Sequence, residues 1–330
     1  MKKSIQKTLK QPVSYSSNRI LISQKGAVIY LFLSCLFLAY VIYYLYKTKF
    51  YPQPLEKFNS TDTMPLSLPL SLSLPISLPD MSFMQCVVAR YNEKTEWFKY
   101  APFDRLHMIC YNKGPKLPEN CFNDHCQVVN LDNVGRCDHT YLYHIIQNYN
   151  NLAPVTLFIP ASFLDPHKKP FMFSLLQKVL DTKTTVLQGG VWNNIREDFY
   201  DFTIDDWKAT NHENIVQNPE SKLAPSPIRP FGKWFDANFG EDLHVKIFSF
   251  YGILGIAREH IIQHPIERYQ KLIKYVDSSS NPEAGHYMER SWGAIFHPYP
   301  ETCVYSVEDV KKFVASPDLP MNKLMMQMNL

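Results

Sequence analysis

The stretch CQVVNLDNVGRCDHTYLYHIIQNYNNLAPVTLFIPASF, residues 126–163, decides the fold. It opens on a short apolar run that reads as a strand and closes on another, VTLFIPASF. Between them, DHTYLYHIIQNYNNL sets Leu142, Ile145, Ile146 and Tyr149 at i, i+3, i+4 and i+7, the spacing of a helix with one apolar face. Strand, helix, strand in this order predicts a largely parallel sheet with helices packed on it.

The same alternation extends outward. FMQCVVARYNE, residues 83–93, reads as a buried first strand ending at Arg90, and HMICYNKG, residues 107–114, as a second. The 126–133 and 155–163 runs are then the third and fourth. Downstream, FSLLQKVL reads as a helix, KIFSFYGILGIA as a strand pair or one long strand, and HPIERYQKLIKYVD as a helix opened by Pro265. Residues 189–240, rich in Asn, Asp, Pro and Trp, show weak periodicity and read as functional loops. No internal repeat is visible.

Ahead of this body the composition changes twice. Residues 1–25 are a basic tail. GAVIYLFLSCLFLAYVIYYLY, residues 26–46, contains no charge and at ~1.5 Å per residue spans a hydrocarbon core of about 30 Å. Cations outnumber those on the far side, which predicts a cytoplasmic N-terminus and an uncleaved signal anchor. Residues 47–82 include MPLSLPLSLSLPISLPD, whose regular prolines exclude a helix or central strand and predict a semi-extended stem. Asn59 opens an NST acceptor triplet within it. The globular domain is expected over 83–315, with a short tail over 316–330.

The formal charge of +3 misleads: residues 1–26 hold six cations and no acid, so the remaining 304 residues carry about −3. That excludes a body built to bind nucleic acid. Of the seven cysteines, Cys35 falls in the anchor, while Cys86 and Cys110 read as buried small hydrophobes. Cys121 and Cys126 flank CFNDHC, where a local disulfide or free thiols fit better than zinc, because no partner ligand pair exists.

Parallel sheets bind ligands at the carboxyl ends of their strands. There the chain places Arg90, Asn92 and Glu93 after strand one, Tyr111, Asn112 and Lys113 after strand two, and Asp132, Asn133, Gly135 and Arg136 after strand three. Taken singly, each also serves ordinary turn chemistry. Asp138 reads as the N-cap of the following helix, and Gly135 lets the chain turn sharply. A helix start with Arg136 beside it suits a diphosphate, and structural capping explains the same residues equally well. His139 stands in the first turn, where it joins the substrate-binding set. His139 and His144 are five apart, on different faces, so they are not a metal pair. Near the C-terminus, GHYMERSWGAIF gathers His286, Glu289, Arg290 and Trp292: Glu289 fits a general base and Trp292 a sugar-stacking face, against a reading as surface helix and core. No D-x-D triplet occurs. Asp165 is the nearest carboxylate for a divalent cation, Mn or Mg, with Asp205 and Asp206 as a looser alternative.

Four motifs in order, VVARYNE, NVGRCDHTYLYHII, LGIAREHIIQHP and GHYMERSWGAIF, resemble the uncharacterised DUF3431 family from about Cys86 to Phe296. That family usually carries Glu where this chain has Cys137. A second resemblance concerns chemistry: a strand ending in YNE looks like the first strand of GT-A nucleotide-sugar glycosyltransferases, and NVGR before a helix is similar to a turn of related transferases. It implies a GT-A/Rossmann-like α/β fold, with Arg90, Asn92 and Glu93 facing the nucleotide, Asn133 and Arg136 the nucleotide-sugar, and Glu289 the acceptor. Tail, anchor, stem and body also match the layout of Golgi transferases. The resulting expectation is a single-pass type II membrane enzyme of the Golgi or ER, body lumenal, moving sugar from a nucleotide-sugar donor to a glycan or protein acceptor. Its rivals are a glycan hydrolase with Glu93 and Glu289 as paired carboxylates, and a non-catalytic glycan-binding membrane protein.

Overall fold

Strands buried on both faces carry near-continuous apolar runs, and the first strand does so from Cys86 to Ala89. The computed structural model describes residues 79–117, 125–204 and 222–328. In β1, Met84–Arg90, Val87 and Ala89 enter one core while Cys86 and Val88 enter a second on the opposite face. A sheet with a helical layer on each side follows.

The remaining elements are β2 (His107–Asn112), β3 (Cys126–Asn130), α1 (Arg136–Asn148), β4 (Val155–Pro160), α2 (Lys169–Thr182), β5 (Val186–Val191), α3 (Ile195–Asp198) and α4 (Phe231–Phe239). After them come β6 (Ile247–Ala257), α5 (Arg258–Ile262), α6 (Ile266–Ile273), α7 (Glu283–Ile295), β7 (Val304–Ser306), α8 (Val307–Val314) and α9 (Pro320–Gln327). The seven strands order as β3-β2-β1-β4-β6-β5-β7. All neighbours run parallel except at β6, which is antiparallel to both β4 and β5. One face is covered by α1 and α7, through Tyr141, Leu142, Ile145, Tyr287 and Trp292. The other is covered by α2, α8 and α9, through Phe173, Leu176, Val310, Phe313 and Met321.

The chain leaves β1 toward β2 and β3, then returns through α1 to β4 on the other side of β1. That reversal makes the carboxyl ends of β1 and β4 a topological switch point, where parallel sheets ordinarily bind ligands. Beside it, β6 bulges. Its ladder with β4 stops at Phe158 opposite Leu254, its register with β5 shifts between Leu187 and Gly189, and Tyr251 and Gly252 take φ of 67° and 64°. A bulge of this kind re-aims backbone groups at the rim of a sheet.

Several expectations change here. KIFSFYGILGIA is one strand, and its antiparallel direction is set by neighbours that periodicity does not reveal. Among its described residues the loop region 189–240 contains the end of β5, where Gly189 and Gly190 hide the strand pattern, and two helices. Residues 316–330, expected as a tail, contain α9, which buries Met321, Leu324, Met325 and Met328. It is tied down by Lys169 Nζ on the Met328 carbonyl and by the Met321 N–H on Gln177 Oε1 at 3.3 Å. Cys126 holds a free thiol, while Cys121 lies outside the described residues. So do the basic tail, the anchor 26–46, nearly all of the stem, Asp205 and Asp206. Among the described residues no helix is long and apolar enough to cross a membrane.

The packing of α9 sets a test. Burying one large apolar side chain is worth ~1.5–3 kcal/mol, so deleting residues 316–330 should lower the urea midpoint sharply or abolish folding. An unchanged midpoint would return this segment to the status of a tail.

Candidate functional site

The turn before α1 is made by two successive left-handed residues, Gly135 at φ 57° and Arg136 at φ 51°. Only glycine fits the first: a β-carbon there would stand 2.1 Å from the Val276 carbonyl oxygen and 2.6 Å from His139 Cβ. The Gly135 N–H donates to Ser279 O at 2.7 Å, and Arg136 donates to Asn281 Oδ1. The start of α1 is thereby fastened to the segment leading into α7. A left-handed arginine is strained, and such strain persists only where surrounding contacts enforce it.

Lys113 supplies one of those contacts. Its backbone N–H donates to Arg90 O at 2.8 Å, and its buried ammonium donates to the carbonyls of Val134 and Arg136, each at 2.5 Å. Two carbonyls of the turn thus converge on one cation from the end of β2. Burial pushes the Lys113 pKa down to about 8, with Cys137 and Asp138 pulling the other way.

Asp138, expected as the N-cap, is the third residue of α1 instead. The helix starts two residues earlier, with Gly135 at the cap position and no side-chain cap. Its carboxyl is 4% exposed, and Oδ2 lies 3.2 Å from where a side chain at Gly285 of α7 would begin. Among the described residues Oδ1 has no hydrogen-bond partner. Burial, then the nearby Glu289 charge, raise its pKa to about 8, against the opposing pull of Arg136 and Lys113. Its protonated form is thereby favoured over that of an ordinary carboxyl.

From α7, Glu289 Oε1 accepts the Tyr251 N–H at 3.3 Å, the donor having been turned toward it by the β6 bulge. Burial raises the Tyr251 phenol, with Glu289 adding to the shift. His286, one turn earlier on α7, is pushed down to about 3 by burial and then by Arg136 and Arg290, so its imidazole is neutral. Arg136, whose pKa burial lowers, feels Asp138 and Glu289 as opposing charges. Gly135, Arg136, His286 and Glu289, singled out from sequence, meet here, joined by Lys113, Asp138 and Tyr251.

Other expected site residues do different work. Arg90 donates to the carbonyls of Tyr91, Glu93 and Pro115 and to Asn112 Oδ1 at 2.6 Å, so it staples the exits of β1 and β2. Glu93 Oε2 accepts the Tyr91 N–H at 2.7 Å and closes the same turn, in which Asn92 is half-buried. The pairing of Glu93 with Glu289 is replaced by Asp138 with Glu289. Asn133 is half-buried just before the turn. His139 stacks on Tyr143 with centroids 6.0 Å apart, and burial followed by Lys113 lowers its pKa to about 4. Trp292 is fully buried between Phe296 and Tyr141, so it offers no sugar-stacking face. Arg290 sits over Phe202 at 3.8 Å, Phe248 at 4.9 Å and Phe199 at 5.3 Å and donates to His286 O, a packed cation–π role.

Asp165 is engaged by Lys168 at 2.8 Å. Among the described residues no group of three or more His, Cys, Asp or Glu is placed to hold a metal ion.

Glu283, the first residue of α7, was not singled out from sequence. Fully buried, it accepts from the N–H groups of Ile204 at 2.9 Å and Ser226 at 2.8 Å, from Tyr287 OH at 2.9 Å, and pairs with Arg229 at 2.9 Å. An acid directly after Pro282 at a helix start was the available signal. Its task is to fix the chain ahead of α4 against α7.

The sequence profile of DUF3431, a family of proteins of unknown function, matches residues 86–310. No curated protein matches the chain.

The buried Asp138 carboxyl gives a signed expectation. Its folded pKa, about 8, lies well above the ordinary carboxyl value of 3.8. The folded state therefore holds a proton that the unfolded state lacks, and this stability is complete below about pH 4 and lost as pH rises through about 8. Asp138→Asn should grow more stable relative to wild type across that window, read from urea midpoints. Parallel curves would rule out the protonated carboxyl.

Proposed function

The chain belongs to the DUF3431 family, whose description names no reaction, and from the site itself we propose a nucleotide-sugar-dependent glycosyltransferase. The observation that carries this reading is the meeting of Arg136 and Glu289, 153 residues apart, at the start of α1 beside the switch point of a parallel sheet. A sheet that reverses between β1 and β4 and takes in one antiparallel strand also agrees with the resemblance to GT-A transferases. Arg136 and Lys113 bring two cationic side chains to the start of α1, which supports a reading as an anion site. The first-turn N–H groups of α1 add partial positive charge.

In this reading the acceptor hydroxyl loses its proton to Glu289 as its oxygen attacks the anomeric carbon. The bond from that carbon to the diphosphate breaks, and the nucleoside diphosphate leaves with the electron pair. Arg136 and the helix start stabilise the charge that develops on the leaving oxygen. Glu289 is held in place by the Tyr251 N–H. No step is assigned to a metal. The anchor at 26–46 and the stem would present the body to glycan or protein acceptors in the lumen of the ER or Golgi.

Nucleotide sugars, tested with and without Mn²⁺, should raise the Tm of the full chain. Arg136→Gly keeps the left-handed backbone and removes the guanidinium, so it should abolish that shift. Glu289→Gln should retain the shift and lower turnover by ~10²–10⁴. If no nucleotide sugar moves the Tm, the transferase reading is wrong.

A further inference from the structure

Arg290 has no part in the transfer just described, yet it follows Glu289 directly on α7. Both side chains meet β6, Glu289 through the Tyr251 N–H at 3.3 Å and Arg290 through the Phe248 ring at 4.9 Å. Phe248 pairs with Gly190 near the carboxyl end of β5, and β5 runs in the direction of β4 because β6 is antiparallel to both. Arg290 therefore stands at the edge of the sheet where parallel strands end and ligands bind.

The guanidinium is held by its surroundings of rings. Its Cζ lies 3.8 Å from the Phe202 centroid and 5.3 Å from that of Phe199, and Phe248 completes a box of three. Such contacts attract the charge but offer no acceptor to the planar fork of N–H groups. Among the described residues one hydrogen bond uses that fork, from Nη1 to the His286 carbonyl at 2.8 Å, and Nε is buried without a partner. No carboxylate among them lies within ion-pair reach, and Glu289 acts on Arg290 only at longer range. A cation withdrawn from water is ordinarily matched by an anion. Arg290 and Phe202 are both half-buried, so the box reaches the protein surface.

We propose that Arg290 anchors the oxyanion of an acidic sugar acceptor, a carboxylate, phosphate or sulfate, while Glu289 takes the proton from a hydroxyl of the same sugar. The inference rests on the transferase reading and narrows its acceptor to a charged glycan. Consecutive residues make the two contacts, so anion and hydroxyl must belong to one compact unit, which a charged sugar ring is. Arginine suits this place better than lysine, because it stacks on rings by its faces and pairs with an oxyanion through its fork.

The test uses the full chain with glucuronic acid, glucose 6-phosphate, glucose 6-sulfate and glucose, reading Kd by ligand-observed NMR. At least one acid should bind ~10-fold or more tighter than glucose, the worth of one charge-assisted hydrogen bond. Which acid does so identifies the oxyanion. Arg290→Met should remove the preference, whereas Arg136→Gly should keep it, which separates this anion from the donor diphosphate. Should Arg290→Met fail to fold, Arg290→Lys keeps the charge and loses the fork, and it should bind the acid ~10-fold or more weakly than wild type. No preference for any acid, or one that survives substitution of Arg290, overturns the inference. Binding of an acetylated Glu-Ser dipeptide in place of the sugars overturns it as well. In each of these cases the transferase reading stands if nucleotide sugars raise the Tm. Acid binding without any such rise overturns both.

Discussion

The close approach of Gly135 to the Val276–Ser279 backbone is the constraint on which the rest of the site depends. A chain that lacked it would leave α1 and α7 at a greater separation, and Arg136 would not reach Asn281. Because a β-carbon at 135 has no room, the left-handed turn is forced. Once it is forced, the carbonyls on either side of it point at Lys113. One steric fact thus ties β2, α1 and α7 into a single rigid corner.

Electrostatics explains why that corner is unusual. Buried polar groups are ordinarily paired, and buried carboxylates ordinarily sit beside matched cations. Among the described residues, Asp138 and Glu289 lie near Arg136 and Lys113, and burial raises the Asp138 pKa while the two cations oppose the shift. Glu283, six residues earlier on the same helix, shows the ordinary solution. It is equally buried but surrounded by two N–H groups, a phenol and a guanidinium. The contrast separates Glu283, met on all sides by donors, from Asp138, whose Oδ1 has no hydrogen-bond partner among the described residues.

Much of the architecture was legible because it is written in local periodicity. Alternation of apolar runs with an i, i+3, i+4 stripe fixed β1 to β4 and α1 to within two residues at most boundaries. The start of α1 was misread for a specific reason: Asp138 is a good cap by type, but two left-handed residues begin the helix earlier, and no side-chain preference signals that. Arg90 and Glu93 also close the exits of β1 and β2 with hydrogen bonds, a task their residue types alone do not reveal. Trp292 failed because a helix end packed on Phe296 buries the ring that an exposed helix would have presented.

By itself the sequence determined the class of fold, the strand ends where polar residues gather, and the importance of Gly135, Arg136 and Glu289. These follow from hydrophobic periodicity and backbone sterics, which act over a few residues. The tertiary structure alone decided the antiparallel course of β6, the docking of α9, and which residues share charge across the corner. Those depend on contacts between segments distant in the chain, as when the Tyr251 N–H meets Glu289, 38 residues on, or Asp138 lies against Gly285, more than a hundred residues on. A pKa set by burial belongs to the folded environment, so the proton on Asp138 could not be read from its place in the chain.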